Sequence, residues 1–351
     1  MRVCVYGAGA IGGHLAARLA GNGHEVTVIA RGAHLAAMRA GGITVRTPSE
    51  TLHAVVQATD DPREAGVQDA VLVTAKAPAL PGIVPRLAPL LGAQTPVAFV
   101  MNGIPWWYGH DPDGIGGMLD AARALGGVVY SACTVTEPGH IHVDHARSRL
   151  VLGEPDGSLS PRLAALAGAL RCPGLKVDET PAIRDWIWTK LLMNLASGPL
   201  AVLTRSAPKD IYVEPAAFEA GRAAAYEGAA IARAMGCTVQ LDIDAQMTAG
   251  QAMTHKPSIL QDLIAGRPME VATILDAPLA LARKAGVATP VLDMMAALVR
   301  VRVGAGLGGR GRWRSASPGL VWRECVRPRR RRRSRCRSGW GRGCRASRTR
   351  R

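Results

Sequence analysis

The stretch Gly7-Ala8-Gly9-Ala10-Ile11-Gly12 constrains this chain more than any other. It follows the β-branched run at residues 3–6, opens an Ala- and Leu-rich helical stretch, and is followed by a second apolar run, "EVTVIA". Strand, glycine turn, helix and strand begin a parallel α/β unit. Each glycine has its own reason in such a turn. Gly7 permits the sharp bend, Gly9 lets a pyrophosphate approach the backbone, and Gly12 lets helix and strand pack closely. A helix that starts there aims free N–H groups and its positive dipole end at phosphates. The pattern predicts a dinucleotide over Gly7, Ala8, Gly9, Ala10, Ile11 and Gly12. The end of the second strand selects which one. An acid there would hold the ribose hydroxyls of NAD, but this chain has Ala30-Arg31-Gly32. A guanidinium matches a 2′-phosphate through bidentate, charge-assisted hydrogen bonds. Arg31 therefore predicts NADPH.

Further short apolar runs, "DAVLVTAK" and "TPVAFVMNG", continue the α/β pattern. The segment "GGVVYSACTVTEPGHIHVDHARSRLVLG" has short strands joined by turn signals and predicts an antiparallel or mixed edge to the sheet. From "TPAIRDWIWTKLLMNLASGPL" onward the pattern is helical, with Thr180 as the expected cap and Pro181 in the first turn. The expected division is a Rossmann-type α/β domain over 1–180, an all-helical domain over 181–303, and a disordered Arg-rich tail over 304–351. The tail holds 17 of the chain's 43 Lys and Arg and one of its 27 acids, so the net charge of +16 belongs to it. A body without net charge gives no reason to expect nucleic acid as a partner. The tail reads as disordered, as an out-of-frame translation of GC-rich DNA, or as a nucleic-acid-binding extension. Strand-like residues directly after Met1 leave no signal peptide, and no apolar run approaches the ~20 residues of a membrane span. A cytoplasmic chain, monomeric or homodimeric, is expected. The seven Cys form no CxxC pair, which argues against a disulfide framework or a zinc module.

The second informative stretch is "WIWTKLLMNLA". A helix this apolar is buried on nearly all sides. Lys190 and Asn194 are its polar exceptions and share one face, four residues apart. A buried ammonium is costly without partners. Either Lys190 snorkels to water beside Asn194, or the pair faces a cleft. There Lys190 would donate a proton, its pKa lowered by desolvation, and Asn194 would fix a polar group of the substrate.

Taken together, "GAGAIGG", the Ala-Arg after the second strand, "TAKA" with Lys76, "MNG" with Asn102, "KLLMN" and "PSILQDLIAGRPMEV" resemble the ketopantoate reductase family over roughly residues 1–303. The resemblance implies a Rossmann domain, an all-helical C-terminal domain and an active site in the cleft between them. It implies hydride transfer from NADPH to the C2 carbonyl of a 2-oxo acid, with 2-dehydropantoate first among substrates. Lys190 would be the general acid. Asn102 would contact both cofactor and substrate, although Asn-Gly is also a common turn. Lys76 would lie along the cofactor, although a solvated Lys after a strand is equally ordinary. Asn194 and Ser258 would hold the substrate, and Ser258 also fits a plain helix start. Glu270 would pair with Lys190 or hydrogen-bond near the nicotinamide ribose, and Val135 would touch the cofactor through its backbone.

Three features depart from the family pattern. Gly198 stands where many members carry a second Asn, Val271-Ala272 follows Glu270 where many have Ile-Asp, and "NGIPWWYG" sets Trp106, Trp107 and Tyr108 beside Asn102. The aromatics either shape the pocket or pack. The alternatives are thus a reductase of another 2-oxo acid and a non-catalytic NADP-binding regulatory protein. His140, His142 and Asp144 share one strand face, but a solvent-facing strand explains them, and no metal is expected. Cys4, Cys133, Cys172 and Cys237 read as small buried hydrophobes.

Overall fold

Twelve strands form two sheets in a computed structural model that describes residues 1–306. The first three of the tail residues continue the last helix, and the rest of the tail lies outside the described residues. The strands are β1 (Arg2–Tyr6), β2 (Glu25–Ile29), β3 (Ile43–Arg46), β4 (Thr51–Ala54), β5 (Gln57–Thr59), β6 (Ala70–Val73), β7 (Val97–Val100), β8 (Ala124–Tyr130), β9 (Cys133–Glu137), β10 (His140–Val143), β11 (Ser148–Gly153) and β12 (Leu175–Glu179). The large sheet runs β12-β11-β8-β7-β6-β1-β2-β5. Its neighbours are parallel except β8 and β11. β1, β6 and β7 read as unbroken apolar runs because both sheet faces are covered. Val3 and Val5 pack with Leu15 and Leu19 on one face. Cys4 and Tyr6 pack with Leu80, Ile83 and Leu87 on the other.

The expected mixed edge splits in two. β8 and β11 join the large sheet, whereas β9 and β10 leave it and pair with the β3–β4 hairpin as β4-β3-β10-β9. Alternation explains the split. β10 buries Ile141 and Val143 on one side only, and Ile141 sits against Gly13. That half-buried ribbon covers α1 rather than extending a sheet buried on both faces.

The helices of the sheet layer are α1 (Ala10–Gly21), α2 (Gly32–Gly41), the single turns α3 (Pro62–Ala65) and α4 (Leu80–Ile83), and α5 (Pro161–Leu170). The C-terminal part is helical: α6 (Ile183–Thr204), α7 (Pro208–Ile211), α8 (Pro215–Ala234), α9 (Ile243–Gly250), α10 (Ser258–Ile264), α11 (Ala277–Ala285) and α12 (Pro290–Gly306). A π-helical turn over Ala272–Asp276 leads into α11. The expected cap at Thr180 is displaced. Its N–H donates to the Leu152 carbonyl at 3.0 Å, so the strand ladder holds it, and α6 begins only at Ile183. The Thr180 hydroxyl instead accepts the Ala182 N–H at 3.0 Å.

α6 is the axis of the helical layer, with α8, α10 and α12 packed along it. Trp188 is fully buried, and its indole N–H donates to the Tyr108 hydroxyl at 2.9 Å. The loop after β7 is thereby pinned to α6. Trp106 stacks edge-on against Phe99 at 5.8 Å, in the core behind β7. The aromatic loop is packing, not pocket. None of the described helices is long and apolar enough to cross a membrane.

Candidate active site

The sheet order reverses around β1, with β6 on one side and β2 on the other. Ligands of open α/β sheets bind at such switch points. The three glycines there differ as expected. Gly7 has φ +107°, and a Cβ on it would lie 2.8 Å from the Ala75 nitrogen. A Cβ on Gly12 would lie 2.0 Å from the Gly7 carbonyl oxygen and 2.4 Å from Thr74 Oγ1. A Cβ on Gly9 would meet nothing within 4 Å. Gly7 and Gly12 are thus closed by the protein itself, and Gly9 faces open space. Thr74, at the end of β6, donates its hydroxyl to the Gly7 carbonyl at 2.6 Å and locks the turn. α1 starts with no side-chain cap and no acid in its first turn, so its positive end is free for an anion.

A cleft of about 930 Å³ opens over this turn. Its walls include Gly7, Ala8, Gly9, Ala10 and Ile11. Arg31, Lys76, Asn102, Val135 and Glu270 line it as well. Gly12 does not; it lies buried beneath and serves the turn. The open Gly9 backbone, the uncapped helix end and an exposed Arg31 fit a phosphorylated dinucleotide.

A second cavity, of about 360 Å³, adjoins the first and contains Lys190, Asn194, Asn102 and Ser258. The two share Ile11, Asn102, Val129, Cys133, Ser258 and Gln261. Lys190 is half-buried in the second cavity, and its Nζ donates at 2.5 Å to the carbonyl of Val129, which lines both. Desolvation lowers its pKa to about 8, against the opposing pull of Glu270. Glu270 is only 4 % exposed, and burial raises its pKa. Its carboxylate accepts the Asn102 amide at 3.1 Å. Of the two roles expected for Glu270, a direct pair with Lys190 is therefore not formed; it acts on Lys190 through space and holds Asn102. The backbone explains the Asn102 placement. Gly103 (φ +79°) lets Ile104 N–H donate at 2.9 Å to the Thr273 carbonyl in the π-helical turn beside Glu270. π-helical turns gather at functional sites. The Asn194 Nδ2 is buried with no hydrogen-bond partner in the protein, an unused donor at the cavity wall.

Several site features escaped the sequence reading. Asp262 on α10 is 1 % exposed and ion-pairs with Lys76 Nζ and, at 3.0 Å, with Arg267 Nε. One acid in the short helix "SILQDLI", beside the polar Ser258 and Gln261, gave no signal of its own. Cys133, a partly buried thiol whose pKa burial pushes up to about 11, stands between the two cavities. Gly198, Trp106 and Trp107 line neither cavity. His142 and Asp144 approach to 3.5 Å, and Asp144 meets His255 at the same distance. Among the described residues, no three His, Cys, Asp or Glu side chains form a group able to hold a metal ion.

The sequence matches the family described as Ketopantoate reductase PanE/ApbA over residues 3–157, and its C-terminal part over residues 182–303. It is 37 % identical to the 2-dehydropantoate 2-reductase of Mesorhizobium japonicum over 321 residues, covering 86 % of this chain and 97 % of that protein. The crystal structure of 2-dehydropantoate 2-reductase from Geobacter metallireducens GS-15 superposes with a TM-score of 0.79 at 28 % identity, covering 86 % of this chain and 99 % of that one. D-mandelate dehydrogenase, in its ternary structure with NADH and anilino(oxo)acetate, shares the fold with a TM-score of 0.75 at 22 % identity, covering 87 % and 99 %. The chain belongs to the ketopantoate reductase PanE/ApbA family.

Proposed function

We propose that this protein reduces 2-dehydropantoate to pantoate with NADPH, a step of pantothenate and coenzyme A biosynthesis. The observation that carries the reading is the Lys190 ammonium in the smaller of two adjoining cavities, bonded to Val129 at the wall they share, with an unpartnered Asn194 amide one helical turn away. In this reading residues 1–180 bind the cofactor, residues 181–303 complete the catalytic site, and the chain works in the cytoplasm as a monomer or homodimer, apart from membranes and nucleic acid.

Bound NADPH supplies a hydride to the C2 carbon of the substrate. Lys190 gives its proton to the carbonyl oxygen as that oxygen becomes an alkoxide, and recovers one from water. Its charge also stabilises the developing oxyanion before the proton moves, often the largest single catalytic contribution. Asn194 and Ser258 hold the substrate carboxylate or hydroxyl. Asn102, oriented by Glu270, holds the carbonyl end against the cofactor. Arg31, the open Gly9 backbone, Lys76 and Val135 position the dinucleotide.

A second reading, reduction of another 2-oxo acid, draws on the methionines Met193, Met247 and Met253 in the substrate cavity. Thioether side chains adapt to varied apolar groups. The test is loss of NADPH absorbance with the purified full chain, using 2-dehydropantoate against a panel of 2-oxo acids. Preference for 2-dehydropantoate supports the first reading. Preference for a bulkier apolar acid moves the substrate and keeps the chemistry. NADPH bound without turnover on any acid would overturn both and leave a non-catalytic NADP-binding protein.

A further inference from the structure

The adenosine end of the dinucleotide cleft is lined by two guanidinium groups. Arg31 precedes α2, which packs through Leu35 and Met38 on the sheet face that holds Val3 and Val5. Arg86 ends the turn Val84–Arg86, which follows α4 and packs through Val84 on the face that holds Cys4 and Tyr6. The two side chains therefore reach the cleft wall from opposite sides of the sheet. Tyr6, at the end of β1, lines the same cleft as both, and both draw down the pKa of its phenol against the burial that raises it.

Neither cation is in an ion pair; the acid that Arg86 faces, Asp61, is itself paired with Arg63 at 2.6 Å. Among the described residues, no carboxylate lies within 4.0 Å of Arg31 or Arg86. Arg86 is nonetheless held, because its Nη2 donates to the Asp60 main-chain carbonyl at 2.7 Å. That bond takes one donor of five and leaves the charge whole. Two like charges on one cleft wall, neither in an ion pair, form a subsite for a multiply charged anion. A 2′-phosphate carries close to two negative charges at neutral pH, as other phosphomonoesters do. A single guanidinium leaves part of that charge uncompensated.

We propose that Arg86 is a second selectivity residue for NADP, gripping the 2′-phosphate from the side opposite Arg31. The proposal rests on the reading that this cleft takes NADPH, and it assigns to Arg86 a task that the position of Arg31 alone would give to one residue. A side chain that merely stacked on the adenine would serve NADH and NADPH alike.

Binding, not turnover, tests this. Calorimetric titration of the full chain with NADPH, NADH, adenosine 2′,5′-bisphosphate and adenosine 5′-monophosphate gives four affinities for each variant. Arg86→Ala should weaken NADPH and the bisphosphate about tenfold or more, the loss of a charge-assisted hydrogen bond. NADH and the monophosphate should change less than about twofold on the same argument. The slope of NADPH affinity against salt should flatten, and Arg86→Lys should recover part of the loss because the charge remains. Arg86 is exposed, so these variants keep the fold. Equal weakening of all four ligands, or of none, overturns the proposal. Arg31→Ala separates the two layers of the argument. If it abolishes the NADPH preference while Arg86→Ala leaves that preference intact, Arg31 reads the phosphate alone and the proposal fails with the cleft reading standing. If the unaltered protein binds NADH as tightly as NADPH, the cleft reading itself fails.

Discussion

At Lys190 one burial sets the pKa and, in the proposed function, the proton available for reduction. Desolvation disfavours the ammonium, so the folded value falls from 10.5 to about 8. The proton is therefore held below about 8 and lost above it. The turnover number for reduction should fall as pH rises through about 8, and oxidation of the hydroxy acid should rise there, as steady-state rates across pH 6–10 would check. Lys190→Ala should lower the turnover number by about 10²–10⁴ and remove that limb of the profile. NADPH affinity, measured by fluorescence, should stay within about threefold, because the cofactor cleft does not include Lys190. Arg31→Asp should weaken NADPH far more than NADH by the same measurement; equal loss would show that Arg31 does not read the phosphate. Lys190 and Asn194 could be picked out of the sequence because they are polar residues four apart on an apolar helix. Arg86 and Asp262 could not. An exposed Arg after a short turn, and one acid on a short helix, are ordinary until the chain brings Arg31 and Lys76 beside them.

The glycine turn shows at the scale of an element how folding and binding separate. Gly9 and Gly12 sit three residues apart, yet added methyl groups meet different things. Gly12→Ala drives a Cβ into the Gly7 carbonyl, and backbone cannot step aside cheaply. It should lower stability by about 2 kcal/mol or more in urea titration, in the range of overpacked cores. Gly9 has φ −72° and nothing within 4 Å. Gly9→Ala should leave the urea midpoint unchanged or raised, by about 0.5 kcal/mol, while weakening NADPH binding, because the methyl enters the space a pyrophosphate needs. Which glycines the fold closes and which it leaves open was legible from spacing, since the turn is local. The destination of β9 and β10 was not. A strand with one buried face specifies a cover, and only the chain's path chose α1 and the β3–β4 hairpin as what it covers.

The described residues form one compact unit, and the candidate site exists only because they do. Asn102 from the sheet layer meets Glu270 from the helical layer across 168 residues of chain. Lys76 meets Asp262 in the same way. Asp262→Ala should cost about 1–3 kcal/mol of stability in urea titration, the loss of buried charge-assisted bonds. It should not reach the larger cost of stranding a buried charge, because Lys76 and Arg267 keep 40 % and 55 % of their side chains in solvent. The sequence by itself determined the glycine turn, the α/β order, the apolar helix with its lysine and the family. These depend on spacing along the chain, where steric and hydrogen-bond rules act over a few residues. Tertiary structure alone decided that the aromatic loop is core, that Gly198 stands clear of the substrate cavity, that Glu270 holds Asn102 rather than Lys190, and that Arg86 faces the cleft with Arg31. Those facts turn on which distant side chains share a low-dielectric space, and burial, which decides them, is a property of the packed molecule and not of any segment.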